Sequence, residues 1–172
     1  HRQPARRDMF AAKTIETTDK PAFYAELAEQ LRGLLHGEPD AIANAANTAA
    51  LIYTSLPDLN WAGFYFMRAR DELVLGPFQG KPACVRIAKG RGVCGAAAES
   101  RQTQRIADVH AFADHIACDA ASRSELVVPL IKHGKVIGVL DLDAPIPDRF
   151  DADDQRGIEE IAAIYLAASE IG

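Results

Sequence analysis

The alternation of apolar and polar positions divides the chain into helical stretches near both ends and an extended middle. Asp19 and Pro21 form a helix start, and Phe23, Leu27, Leu31 and Leu34 recur at helical spacing until Gly37. Pro39 and Asp40 open a second helix, whose stripe of Ile42, Ala45, Ala46, Ala49, Ile52 and Tyr53 suits close packing and ends near Leu56 and Pro57. From Trp61 the period changes to two. The aromatic run Trp61 to Arg68, a polar turn at Ala69 to Asp71 and a second run, Leu73 to Gln79, predict a hairpin. Residues 83 to 87 predict another strand, Gly90 to Gly95 a bend into a short helix through Ala96, Ala97 and Ala98, and Gln104 to Ile106 a further strand.

Leu126 to Ile131 and Val136 to Leu142 form the strongest strand pair, with Lys132, His133 and Gly134 as a three-residue turn. Alternation puts Val127, Ile137 and Val139 on one face and Leu126, Val128, Leu130 and Leu140 on the other, so both sides of the sheet need cover. After Pro145 and Pro147, Asp151 caps a last helix with Ile158, Ile161, Ala162 and Tyr165 on one face. Residues Ala107 to Arg123 follow neither period yet hold Asp108, His110, Asp114, His115, Cys118 and Asp119, and irregular polar connectors carry function more often than packing. Together these elements predict one α+β domain.

A length of 172 residues fits a single domain. Residues 1–8, basic and preceding Met9, read as an appended remnant or a disordered N-terminus, which leaves 9–172 as the domain. Lys and Arg number 19 against 24 Asp and Glu, a net charge of −5, so no broad basic surface exists for nucleic acid or anionic lipid. No apolar run approaches the roughly 18 residues of a spanning helix. The three cysteines are too few and too scattered for a secreted disulfide scaffold, and the early residues have no signal-type apolar segment. A soluble, cytoplasmic protein is expected.

Gly90, Gly92 and Gly95 fit the dinucleotide fingerprint, but no strand and helix alternation follows, so they read as glycines of a tight turn. His110, His115 and Cys118 are metal-ligand types without the spacing of zinc sites, and no metal is expected. Cys84, Cys94 and Cys118 are either small buried side chains or a nucleophilic thiolate with a second thiol that resolves an oxidised intermediate. Cys94 is a tempting nucleophile because a helix N-terminus lowers a thiol pKa, yet spacing does not rank it against Cys118. Asp141 and Asp143 share a strand face, and a three-residue turn puts Glu125 directly opposite Asp141. Unless the strand end is simply solvated, three converging carboxylates suit a site that holds an ammonium or keeps one acid protonated. Trp61 and Tyr65 share a face as core or as the aromatic wall of a pocket.

Five blocks in order, Asn60-Trp61-Ala62-Gly63-Phe64-Tyr65, Leu75-Gly76-Pro77-Phe78-Gln79-Gly80, Gly90-Arg91-Gly92-Val93-Cys94-Gly95, His115-Ile116-Ala117-Cys118-Asp119 and Gly138-Val139-Leu140-Asp141-Leu142-Asp143, resemble the free methionine-(R)-sulfoxide reductase family. The resemblance spans about residues 20 to 168 and implies a single GAF domain, a six-stranded antiparallel sheet with helices on its faces. It implies that Cys118 is the catalytic cysteine and that Cys84 and Cys94 occupy the two positions from which resolving thiols come, without deciding between them. The implied substrate pocket is Trp61, Tyr65, Glu125, Asp141 and Asp143. In the implied reaction Cys118 attacks the sulfoxide sulfur of free methionine sulfoxide while Glu125 protonates the departing oxygen, leaving a sulfenic acid. A resolving thiol then closes a disulfide, and a thioredoxin-type dithiol reopens it, with no metal or organic cofactor. Such an enzyme would answer oxidative stress, and a homodimer is compatible with the resemblance. GAF domains also serve as sensors that bind a small ligand without chemistry, a role that does not need three cysteines.

Overall fold

A computed structural model of the protein describes residues 13–114 and 120–171, so the expectation for residues 1–8 lies outside the described residues. Helix α1 (Lys20–Leu35) starts where the Asp19 carboxylate accepts from the Ala22 N–H at 3.2 Å, and α2 (Ala41–Ser55) where Asp40 accepts from Ala43 at 2.8 Å. These caps satisfy donors that a first helical turn leaves without partners. Asp151 and Asp154 close the last helix by accepting from each other's backbone N–H, at 3.0 and 2.9 Å. Buried Asp154 also accepts from the Tyr24 hydroxyl at 2.6 Å and from Lys20 at 2.7 Å, which fastens α1 to that helix.

Six strands form one antiparallel sheet: β1 (Trp61–Arg68), β2 (Glu72–Gly80), β3 (Arg86–Ala88), β4 (Gln104–Ile106), β5 (Ser124–Lys132) and β6 (Lys135–Ala144), in the spatial order β3-β2-β1-β6-β5-β4. Helices α1, α2 and α4 (Ala152–Ala168) cover one face, and α3 (Gly92–Ser100) packs on the other. Strand alternation sorts β1 between the two: Ala62, Phe64 and Phe66 enter the three-helix core, Trp61 and Tyr65 the α3 side. The Phe64 ring lies 4.7 Å from that of Tyr165 on α4. No helix among the described residues is long and apolar enough to cross a membrane.

The β5–β6 hairpin departs from the sequence expectation. Lys132 pairs with Lys135, so the turn has two residues, not three, with His133 and Gly134 both at positive φ, 51° and 77°. That conformation matches the twist of the flanking strands. A bulge follows: Ile131 pairs with Val136 and Leu130 with Gly138, which leaves Ile137 as the extra residue on β6. Ile137 therefore packs toward the three-helix core, against the expectation that it joins Val127 and Val139, and Val136 joins that face instead. The bulge also corrects the predicted opposition of Glu125 and Asp141. Glu125 stands across from Asp143, and Asp141 across from Val127.

Two further boundaries differ. The strand expected at 83–87 begins only at Arg86, because residues 81–85 leave the ladder apart from a bond from the Leu75 N–H to the Val85 carbonyl at 2.9 Å. Pro82 in that segment has no N–H to donate. Helix α3 starts inside the glycine bend, at Gly92, and runs through the expected Ala96, Ala97 and Ala98 to Ser100. All six strands are antiparallel, so the parallel unit that a dinucleotide fingerprint requires is absent from the described sheet.

Candidate active site

On the α3 side of the sheet, β1, β5 and β6 direct Trp61, Tyr65, Glu125, Asp141 and Asp143 into one pocket with about 550 Å³ of free space, part of it open to solvent. The five expected pocket residues thus come together. Gly63 allows the arrangement. It sits between Trp61 and Tyr65 opposite Asp141, and a Cβ there would lie 2.3 Å from the Phe78 Cβ and 2.9 Å from the Trp61 ring. With glycine, Trp61 stacks between Phe78 at 5.2 Å and Tyr65 at 5.8 Å as a flat aromatic wall.

Beside that aromatic wall, on β5 and β6, the pocket is acidic. Burial pushes the Glu125 carboxyl well above its ordinary range, and the neighbouring Asp141 and Asp143 charges push it further. Asp141 is raised by burial as well, although its hydrogen bonds to Glu125, Cys94 and Asp143 pull the other way. Its Oδ1 is buried without a hydrogen-bond partner among the described residues. A buried acceptor in that state is costly until a donor arrives, and an ammonium is a donor of the right charge. Cys94, Glu125 and Asp141 bring ligand atoms within 4.8 Å of one another, so this wall is also where the described residues could hold a metal cation.

The cysteines occupy different environments. Cys94 is in the first turn of α3, but its thiol is raised, not lowered: burial dominates, Asp141 and Glu125 add to it, and Sγ lies 4.0 Å from the Glu125 Oε2. The helix N-terminus thus does not lower this thiol, against the expectation from its position. Cys84 is disulfide-bonded and Cys94 is free. The Cys84 carbonyl accepts from the Tyr65 hydroxyl at 2.8 Å, and the preceding Pro82 and Ala83 roof the pocket. Cys118, His115 and Asp119 lie outside the described residues.

Three contributors were not anticipated as site residues. Arg91 lines the pocket and grips Asp114 with two bonds, at 2.9 and 3.1 Å, while Asp114 also accepts from the Gly92 N–H at 3.2 Å. Those bonds hold the Asp114 carboxyl below its ordinary range. Ser122 lines the pocket and accepts from the Asn60 side chain at 3.0 Å. Gly63 is the third. Arg91 and Gly63 lie inside the quoted sequence blocks, which was their available signal; Ser122 had none.

The GAF domain family matches residues 24–168, and one α+β domain with a six-stranded antiparallel sheet and four helices among the described residues is that fold. The chain is 53% identical over 145 residues to the free methionine-R-sulfoxide reductase of Escherichia coli, covering 84% of this chain and 87% of that one. The crystal structure of free methionine-R-sulfoxide reductase from Neisseria meningitidis in complex with its substrate superposes with a TM-score of 0.89 at 45% identity, covering 93% of this chain and 95% of that one. A Burkholderia vietnamiensis structure described as a GAF sensor protein matches at 60% identity and a TM-score of 0.84, covering 87% and 95%. The chain therefore belongs to the GAF-domain proteins and, among them, to the free methionine-R-sulfoxide reductase family, a family of oxidoreductases.

Proposed function

We propose that this chain reduces free L-methionine-(R)-sulfoxide to methionine. The observation that carries the reading is the cluster of buried Glu125 and Asp141 with half-buried Asp143 beside Trp61 and Tyr65 in one pocket, in a chain 53% identical to a reductase of that name. An α-ammonium satisfies the open Asp141 acceptor and offsets the acidic wall, while the aromatic wall contacts the S-methyl end.

In this reading the Cys118 thiolate attacks the sulfoxide sulfur, and protonated Glu125 gives its proton to the oxygen, which passes to Cys118 as a sulfenic acid while methionine leaves. The raised pKa of Glu125 suits a donor near neutral pH. The Cys84 thiol then displaces water from the sulfenic acid and forms a disulfide, which a thioredoxin-type dithiol reduces by exchange. The disulfide at Cys84, with Cys94 free, supports Cys84 as the resolving thiol. A reducing cytoplasm suits such a cycle.

The sensor described for the Burkholderia relative is the competing reading. Incubation of the protein with each sulfoxide epimer in the presence of excess dithiothreitol, which reduces the disulfide after every turnover, separates them. Release of methionine from the R epimer over many turnovers supports the reductase, and binding without release supports the sensor.

A further inference from the structure

The two aromatic residues of the pocket each spend their one polar group on the same short segment. The Trp61 indole N–H donates to the Lys81 carbonyl at 3.2 Å, and the Tyr65 hydroxyl donates to the Cys84 carbonyl at 2.8 Å. Between those anchors lie Pro82 and Ala83, which roof the pocket, and beyond them the segment rejoins the sheet through the Leu75 N–H and Val85 carbonyl. Among the described residues, 81–85 join the sheet through that last bond alone, and they are half-buried or exposed. Two side-chain donors of the aromatic wall therefore hold the backbone that carries Cys84.

We propose that Tyr65, assisted by Trp61, is a positioning residue for Cys84: its hydroxyl fixes the Cys84 backbone in the arrangement in which the disulfide exists. This rests on the reading of Cys84 as the resolving thiol and extends it from the cysteine to the group that places it. Closure depends on how often Cys84 reaches the sulfenic sulfur, which is an effective concentration set by the freedom of its segment. Closing forms one S–S bond, breaks the S–O bond of the sulfenic acid and releases water. Burial raises the Tyr65 pKa above its ordinary value, so its hydroxyl remains a donor throughout the working pH range.

Tyr65→Phe removes this donor and keeps the ring. A neutral hydrogen bond of about 1 kcal/mol corresponds to roughly a fivefold change in the equilibrium between the disulfide and dithiol forms. Redox titration against dithiothreitol, with Cys84 oxidation read by alkylation and mass spectrometry, should show the Phe variant reduced about fivefold more readily. That measurement needs no substrate, so it stands or falls apart from the reductase reading. In single turnover with methionine sulfoxide, the ratio of the disulfide-closure rate to the methionine-release rate should fall by a similar factor. Trp61→Phe should shift the same titration in the same direction. An unchanged redox midpoint in Tyr65→Phe overturns the proposal, as does a fall in both single-turnover rates by the same factor, which would leave Tyr65 a pocket wall only.

Discussion

Glu125 stands directly across from Asp143 on the neighbouring strand, and this pairing exists because β6 carries one residue more than the turn requires. With a two-residue turn and a regular ladder, Glu125 would face Leu142, whose side chain enters the three-helix core. The bulge at Ile137 adds one position and returns the pair to the pocket face. Opposed carboxylates in a strand pair repel when both are charged, and the raised Glu125 pKa relieves that repulsion by keeping this acid protonated beside Asp143.

The first prediction concerns proton delivery. Glu125→Gln keeps the shape of the side chain and cannot donate a proton to the departing oxygen. The methionine-release step in single turnover should slow by about 10² to 10⁴. The wild-type rate should also fall as pH rises through the elevated Glu125 pKa, while the Gln variant loses that limb. Rates within a few-fold of each other move the acid role to Asp141 or Asp143.

Stability should carry the same signature. The folded-state pKa values of Glu125 and Asp141 are raised by burial, so the native protein binds more protons than the unfolded chain between the unfolded and folded values. Their contribution is present below the unfolded pKa, about 4, and is lost as pH rises through the folded pKa. Asp141→Asn removes one of the charges, and its gain in Tm over wild type should be larger at pH 8 than at pH 5. A difference independent of pH shows that Asp141 does not titrate in this way.

Substrate scope tests the acidic wall. Free methionine sulfoxide has an ammonium for Asp141 and Asp143, whereas an N-acetylated or peptide-bound form presents a neutral amide. Leaving one half of a buried charge pair without its partner costs about 3 to 5 kcal/mol, enough to suppress activity on the blocked substrates by two orders of magnitude or more. Asp141→Asn and Asp143→Asn should raise KM for the free form. Comparable kcat/KM on free and N-acetyl substrates shows that the aspartates do not read the ammonium.

Gly63 should be intolerant of a side chain. A methyl group there meets the Phe78 Cβ and backbone Cα, at 2.3 and 2.8 Å, and these cannot move without parting β1 from β2. Gly63→Ala should destabilise the fold by about 1 to 3 kcal/mol, the usual cost of overpacking, and unstack Trp61 from Phe78. Denaturant unfolding measures the first effect and indole fluorescence the second. Wild-type stability with an unshifted spectrum contradicts the packing account.

Much of this was legible in the sequence because local rules and tertiary demands agree. The caps at Asp19, Asp40 and Asp151 and the alternation of Trp61 to Phe66 fixed helices, strands and faces. The convergence of Glu125 with Asp141 and Asp143 was also readable, but for an inaccurate reason: one residue too many in the turn stood in for one bulge unseen in the strand. A bulge at Ile137 leaves no mark, since an apolar residue fits either face. The expectation of a lowered Cys94 pKa is reversed for a different reason. A helix N-terminus is local, whereas the burial and the carboxylates that raise this thiol come from β5 and β6, distant in sequence. Ala83 to Val85 resembled the start of a strand because nothing local shows that Trp61 and Tyr65 claim the Lys81 and Cys84 carbonyls.

The most direct test of the proposed redox cycle is a thiol titration of the reduced protein before and after one equivalent of L-methionine-(R)-sulfoxide, with the oxidised residues identified by mass spectrometry. The account predicts one methionine released and two thiols lost per chain, at Cys118 and Cys84, with Cys94 still free. In Cys118→Ser no methionine is released, and in Cys84→Ser the burst persists while the second thiol is spared. No loss of thiols in the wild type, or a burst retained in Cys118→Ser, contradicts it.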